Sequence, residues 1–175
     1  VKPYNKAGLA YVAMKKVDHA IFMYKKAIYI DPNYAESYYN MGVAYELKYK
    51  DKNPDNEKAI EAYKKAIELK NDNYSFVRAS LRLSALYKGQ KKYDEAIELL
   101  RSAIKVEPDF AELYNESGLV YLESGLFEYA IKNFEKALSV QQRYPEASVN
   151  LGITYMKMGK LARAIKQFEE TIAKD

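Results

Sequence analysis

The chain has 175 residues, with 28 Lys and Arg against 24 Asp and Glu, for a net charge of +4. That balance is too even to argue for nucleic acid. The absence of cysteine removes disulfides and thiolate metal sites but selects no compartment, and a cytoplasmic setting is the working expectation. No apolar run approaches the ~20 residues of a membrane span, and no secretory segment opens the chain. A start at Val1 rather than at methionine is what a segment of a longer protein would show.

Gly-poor tracts rich in Leu, Ala, Glu and Lys, with only 5 prolines, predict helices rather than sheets. Residues 1–34 set the pattern. Gly8 and Tyr11 share a face of one helix, Ala20, Tyr24 and Ala27 share a face of the next, and Pro32 stops it. Residues 35–76 restate this as Gly42, Tyr45, Ala59, Tyr63 and Ala66, but with a longer interior. Tyr45 and Ala59 lie fourteen apart, where Tyr11 and Ala20 lie nine apart. The excess divides into about five residues at Tyr49–Lys58 and three at Tyr74–Phe76. Within the first, Pro54 is a breaker and Asp55 or Asn56 a helix N-cap.

Residues 77–110 give Ser84, Tyr87, Ala96, Leu100 and Ala103, closed by Pro108. Residues 111–144 give Gly118, Tyr121, Ala130, Phe134 and Ala137 on two amphipathic tracts, Ala111–Glu123 and Phe127–Val140. Residues 145–175 give Gly152, Tyr155, Ala164, Phe168 and Thr171. Ala96, Ala130 and Ala164 are spaced by 34. A glycine inside a helix costs about 1 kcal/mol relative to alanine. Its return in four of five units implies a close-packing reason: small residues let two helices approach while a ring fills the gap beside them.

These small–Tyr–Ala–aromatic–Ala registers at a 34-residue period resemble the tetratricopeptide repeat (TPR) family over essentially the whole chain. The resemblance implies an all-α fold, a right-handed superhelical solenoid of about ten antiparallel helices forming a single domain of five repeats. Some positions depart from the family pattern. No unit has the tryptophan common early in the first helix; Tyr4, Tyr38 and Tyr114 stand there, with Ser80 and Ser148 in the other two, and Asn71 and Gln142 replace the terminal proline. The Tyr49–Lys58 insertion falls in a rim turn, where loop closure costs little; it reads either as tolerated length or as a partner contact. At the C-terminal end Phe168 and Ile172 lack a following helix, so self-association through uncapped ends is a further expectation.

The resemblance also implies that the first helices of successive units line an inner groove. Helical phase places Leu9, Val43, Ala85, Leu119 and Ile153 along its floor, widened by Leu81, Leu122, Val149 and Met156. Such an apolar strip suits an amphipathic helix or an extended segment of a partner. Asn5, Asn40, Asn115 and Asn150 interrupt it with amides that either pair with a bound peptide backbone or bond neighbouring helices. Tyr39, Arg78 and Arg82 complete the candidate surface. Arg78, Arg82 and Lys88 are followed by Glu112, Glu116 and Glu123, which suits a partner with an acidic and a basic end, or pairing between adjacent helices.

TPR co-chaperones grip a C-terminal carboxylate with Lys and Asn, then Asn, then two basic residues. Asn40, Arg78 and Arg82 fall on the last three of those positions, but Asn5 and Leu9 stand where Lys and Asn are required. His19 is the sole histidine, without a cysteine or second imidazole to join, so no metal site or Cys/His nucleophile is predicted. No phosphate-cradling glycine motif occurs, and the carboxylates are spread over solvent faces. The expectation is a non-catalytic protein–protein interaction module, an adaptor or assembly scaffold. It needs no cofactor, no metal and no small-molecule substrate, and holds a protein or peptide partner in its groove. A recruiting segment of a larger multidomain protein or enzyme is the alternative, and RNA binding through Arg78, Arg82 and Lys88 a weaker one.

Overall fold

A computed structural model describes residues 1–49 and 56–173. Among them are ten α-helices and no strand. The chain divides into two compact units, Val1–Gln90 and Lys91–Asp175. The first holds α1 (Lys2–Ala13), α2 (Val17–Ile30), α3 (Ala35–Tyr49), α4 (Glu57–Leu69) and α5 (Asn73–Gly89). The second holds α6 (Tyr93–Val106), α7 (Ala111–Glu123), α8 (Phe127–Val140), α9 (Pro145–Lys157) and α10 (Leu161–Ile172). The division falls inside the third repeat, between its two helices.

Within the first unit, α1 packs on α2, and α3 on both α2 and α4, while α4 packs on α5. In the second, α7 touches α6 and α8, and α9 touches α8 and α10. The odd-numbered helices also meet directly, α1 with α3, α3 with α5 and α7 with α9. No such contact joins α2 to α4 or α8 to α10 among the described residues. The odd-numbered layer is therefore the more tightly drawn side of each unit.

The glycine of each odd helix meets the bulky residue of its partner helix. A Cβ added at Gly42 would lie 2.5 Å from Cε1 of Tyr63, and one at Gly118 would lie 2.6 Å from Cδ1 of Phe134. Gly8 sits in the same way on Tyr24, and Gly152 on Phe168. Tyr24, Tyr63 and Phe134 have no exposed surface. The rings that close the hairpins thus come from the second helices; the Tyr11, Tyr45, Tyr121 and Tyr155 register is half-buried beside them. Around Phe134 the core continues through Leu122, Ala130 and Leu151, with Tyr121, Ile131 and Tyr155 packed against it. Around Tyr24 it comprises Ala20, Ile21 and Ala44.

The Tyr74–Phe76 excess lies in the first turn of α5. Asp72 caps it, its carboxylate accepting from the backbone N–H of Tyr74 at 3.2 Å and of Ser75 at 3.0 Å. The other excess, with Pro54 and Asp55, lies outside the described residues. Asn56 does stand at the N-cap position of α4, but its side chain makes no cap bond. At the α7–α8 turn Gly125 takes φ +80°, a left-handed conformation. Lys15 takes it at φ 58° in the equivalent turn of the first repeat.

Gly118→Ala is expected to lose about 1–3 kcal/mol of stability despite its better helix propensity, because the buried ring of Phe134 has no free space to yield. Adding Phe134→Leu, the side chain type that Leu100 brings to this register, should recover part of that loss. Urea denaturation of the two single variants and the double variant measures the coupling.

Candidate functional site

The tighter layer of the first unit presents α1, α3 and α5. Leu9 is 45 % exposed there, with Val43 half-buried and Ala85 exposed. Asn5 and Asn40 are nearly sealed, at 2 % and 8 %. The Asn5 Oδ1 accepts from the Asn40 Nδ2 at 3.2 Å and from the Ser37 hydroxyl at 3.3 Å. The amides thus tie α1 to α3, the second of the two roles open to them from sequence.

Beside them lies a cluster of phenols and guanidiniums. The Tyr63 hydroxyl, reaching across from α4, donates to Oε1 of Glu46, and Arg82 approaches the other oxygen at 3.9 Å. The Arg82 charge also opposes the rise that burial imposes on the Tyr39 phenol. Tyr39 meets Tyr74 edge-on, with ring centroids 6.2 Å apart and an interplanar angle of 85°. The Arg78 guanidinium stands 5.7 Å over the Tyr74 ring. Burial, then the Glu46 charge and hydrogen bond, push the Tyr63 phenol far above its ordinary range. Burial works to lower the Arg82 pKa, but the charge of Glu46, with Tyr63 and Tyr39, outweighs it and the guanidinium is held charged.

Arg78 and Arg82 bring two guanidiniums to this cluster. Two rings, Tyr39 and Tyr74, flank it, and Arg82 keeps half of its side-chain surface exposed at 52 %. Planar guanidiniums suit a carboxylate, and their aromatic neighbours hold them in place. Tyr74 is a member that sequence reasoning missed. Its signal was present: Tyr74 precedes Arg78 by one helical turn and shares its face.

The tighter layer of the second unit presents α7 and α9. Here Asn150 Nδ2 donates to Asn115 Oδ1 at 3.0 Å, repeating the Asn40–Asn5 link one unit on. Leu119 and Ile153 are half-buried, and Val149 and Met156 are exposed at 39 % and 51 %. Burial and then the charges of Glu112 and Glu146 raise the Tyr144 phenol to about 12, with Glu116 adding to the rise and a hydrogen bond to Asn115 opposing it. This face is therefore apolar with an acidic flank. Leu81 and Leu122, expected to widen the strip, are instead buried at 9 % and 7 %. Leu122 belongs to the Phe134 core, because its helical phase turns it towards α8. His19 is exposed, its ring 5.3 Å from that of Tyr11. No helix among the described residues is long and apolar enough to cross a membrane.

Tyr63→Phe is expected to cost about 1–3 kcal/mol, since it strips a hydrogen bond from the Glu46 carboxylate. Tyr24→Phe should be neutral or stabilising, because its buried hydroxyl has no partner among the described residues. Chemical denaturation of the two variants in parallel reads the contrast.

Family models for the tetratricopeptide repeat match residues 8–48, 85–125 and 118–159, then 35–73, then 146–174. A crystal structure of MamA protein is 28 % identical, with 99 % of this chain and 90 % of that chain covered and a TM-score of 0.79. PilF of Pseudomonas aeruginosa is 22 % identical, with 98 % and 75 % covered and a TM-score of 0.81. YrrB, described as a TPR protein with an unusual peptide-binding site, is 19 % identical, with 98 % and 84 % covered and a TM-score of 0.73. No curated protein matches the chain significantly. Glycine-on-ring hairpins, a 34-residue period and family matches along most of its length make the chain a member of the tetratricopeptide repeat family.

Proposed function

We propose that the chain is a non-catalytic protein-binding module, an adaptor or assembly scaffold, that takes partner segments on the odd-numbered helix faces of its units. The observation that carries this reading is the Tyr39–Tyr74–Arg78–Arg82 cluster on α3 and α5, in the layer whose first helix exposes Leu9. Ring-braced guanidiniums on helices of the layer that also exposes Leu9 fit a segment carrying both a carboxylate and an apolar side chain. The partial chaperone-tail grip has its chemistry here in Arg78 and Arg82, without the Lys and Asn of the first repeat. On the second unit, apolar Val149 and Met156 with acidic Glu112 and Glu146 suit an apolar segment carrying basic residues. MamA gives the fold a relative at 28 % identity, and the description of YrrB names a peptide-binding site on this fold.

Peptides selected from a displayed library on the wild-type chain provide the test. Fluorescence polarisation should show acidic, apolar-flanked peptides losing roughly tenfold or more in affinity with Arg78→Ala/Arg82→Ala, the loss expected when a charge-assisted pair of about 1.5–3 kcal/mol goes. Peptides that read the second unit should instead be lost with Val149→Glu/Met156→Glu. Undiminished binding to both variants would remove these faces as the site. RNA binding predicts a different result, a steep fall of affinity with salt for a single-stranded RNA probe.

A further inference from the structure

A cavity of about 850 Å³ opens between α8, α9 and α10, away from the Val149–Ile153 side of α9. It is within the range of small-ligand pockets, ~300–1,000 Å³. Its origin is legible by comparing two repeats of the same chain. In the fourth repeat Tyr114 fills the corresponding slot: its hydroxyl donates to the Pro108 carbonyl at 2.9 Å, and the Lys136 ammonium stands 5.8 Å over its ring. One period of 34 later, those three positions are Ser148, Gln142 and Glu170, and all three line the cavity. Serine in place of tyrosine has left the ring's place open.

The residues around the gap are arranged as a seat. Ser148 and Thr171 share a hydrogen bond at 2.5 Å, and the Gln167 amide donates to Ser148 at 2.8 Å. Both hydroxyl residues are buried, at 8 % and 9 %. Leu138, Leu151 and the Tyr155 ring form apolar walls. Glu135 and Glu170 lie among the lining groups with one cation, Arg143, and Glu170 has a Lys166 ammonium at 3.8 Å. Where the fourth repeat sets an ammonium over the ring, this slot offers a carboxylate instead.

We propose that this slot receives the tyrosine side chain of a partner protein, its ring between Leu138, Leu151 and Tyr155 and its hydroxyl donating to a carboxylate of the lining. The ring reproduces the place of Tyr114, and Glu135 and Glu170 in the lining supply acceptors for its hydroxyl. A phosphate dianion would lose its hydration against Leu138, Leu151 and two carboxylates, of which Lys166 offsets one, so the slot selects an unphosphorylated tyrosine. This binding mode is independent of the odd-helix faces.

The test titrates the full chain with 4-methylphenol, the tyrosine side chain in free form, and follows amide and methyl NMR shifts. Saturable shifts concentrated at Ser148, Leu151, Gln167 and Thr171 are expected. Ser148→Tyr, which refills the slot as the fourth repeat does, should abolish them, and 4-methylphenyl phosphate should bind at least tenfold more weakly. Unsaturable shifts, shifts at Leu9, Val149 or Met156 instead, or equal binding of the phosphate would overturn the proposal. Undiminished shifts in a folded Ser148→Tyr protein would do the same. Should that variant not fold, intermolecular NOEs from the 4-methylphenol ring to the Thr171 and Leu151 methyl groups of the wild type decide alone: present supports the slot, absent removes it. Self-association of the wild-type chain that 4-methylphenol reverses would assign the slot to a second copy of the chain and overturn a foreign partner.

Discussion

The contact between a glycine of one helix and a ring of the next governs the rest of the structure. At Gly8, Gly42, Gly118 and Gly152 a single added carbon would collide with Tyr24, Tyr63, Phe134 or Phe168. Glycine weakens each helix by about 1 kcal/mol, and the burial of a whole aromatic side chain, worth about 1.5–3 kcal/mol, outweighs it. Because the seat recurs with the repeat, helix pairs stack in register, and the odd-numbered helices of each unit present one continuous face.

That face has two chemistries. On the first unit, Glu46 collects a phenol from Tyr63 and a guanidinium from Arg82, so a core ring and a surface arginine share one carboxylate. Removing Tyr63's hydroxyl would therefore alter a surface site through the core. On the second unit the same helical positions hold apolar side chains and glutamates around the half-buried Tyr144. Both units keep the asparagine link between successive odd helices, which uses polar side chains as spacers where a hydrophobic residue would leave their faces unregistered.

Much of the fold was legible because it is periodic. The tracts Ala111–Glu123 and Phe127–Val140 are α7 and α8 to the residue, since alanine and ring registers fix a helical face from sequence alone. Three features were less accessible. Tyr74–Phe76 stood out by register only as excess length, and Asp72 caps it into α5; a cap acts locally and is invisible to repeat alignment. Leu81 and Leu122 sit at the edge of the groove phase, where a small helical rotation separates solvent from core. The asparagines have one amide and two chemically equal uses, and only the distance between α1 and α3, or α7 and α9, selects the bond to a neighbour. The open slot at Ser148 was written in the sequence as a serine among tyrosines, but its significance needed the place of Tyr114 in three dimensions.

The most direct measurement of the central claim is a set of intramolecular NOEs in the assigned spectrum of the protein. Strong cross-peaks should join the α-protons of Gly8, Gly42, Gly118 and Gly152 to the ring protons of Tyr24, Tyr63, Phe134 and Phe168 respectively. Their absence, with those glycine α-protons in contact with the Tyr11, Tyr45, Tyr121 and Tyr155 rings instead, would contradict the way these helices are joined and the faces that depend on it.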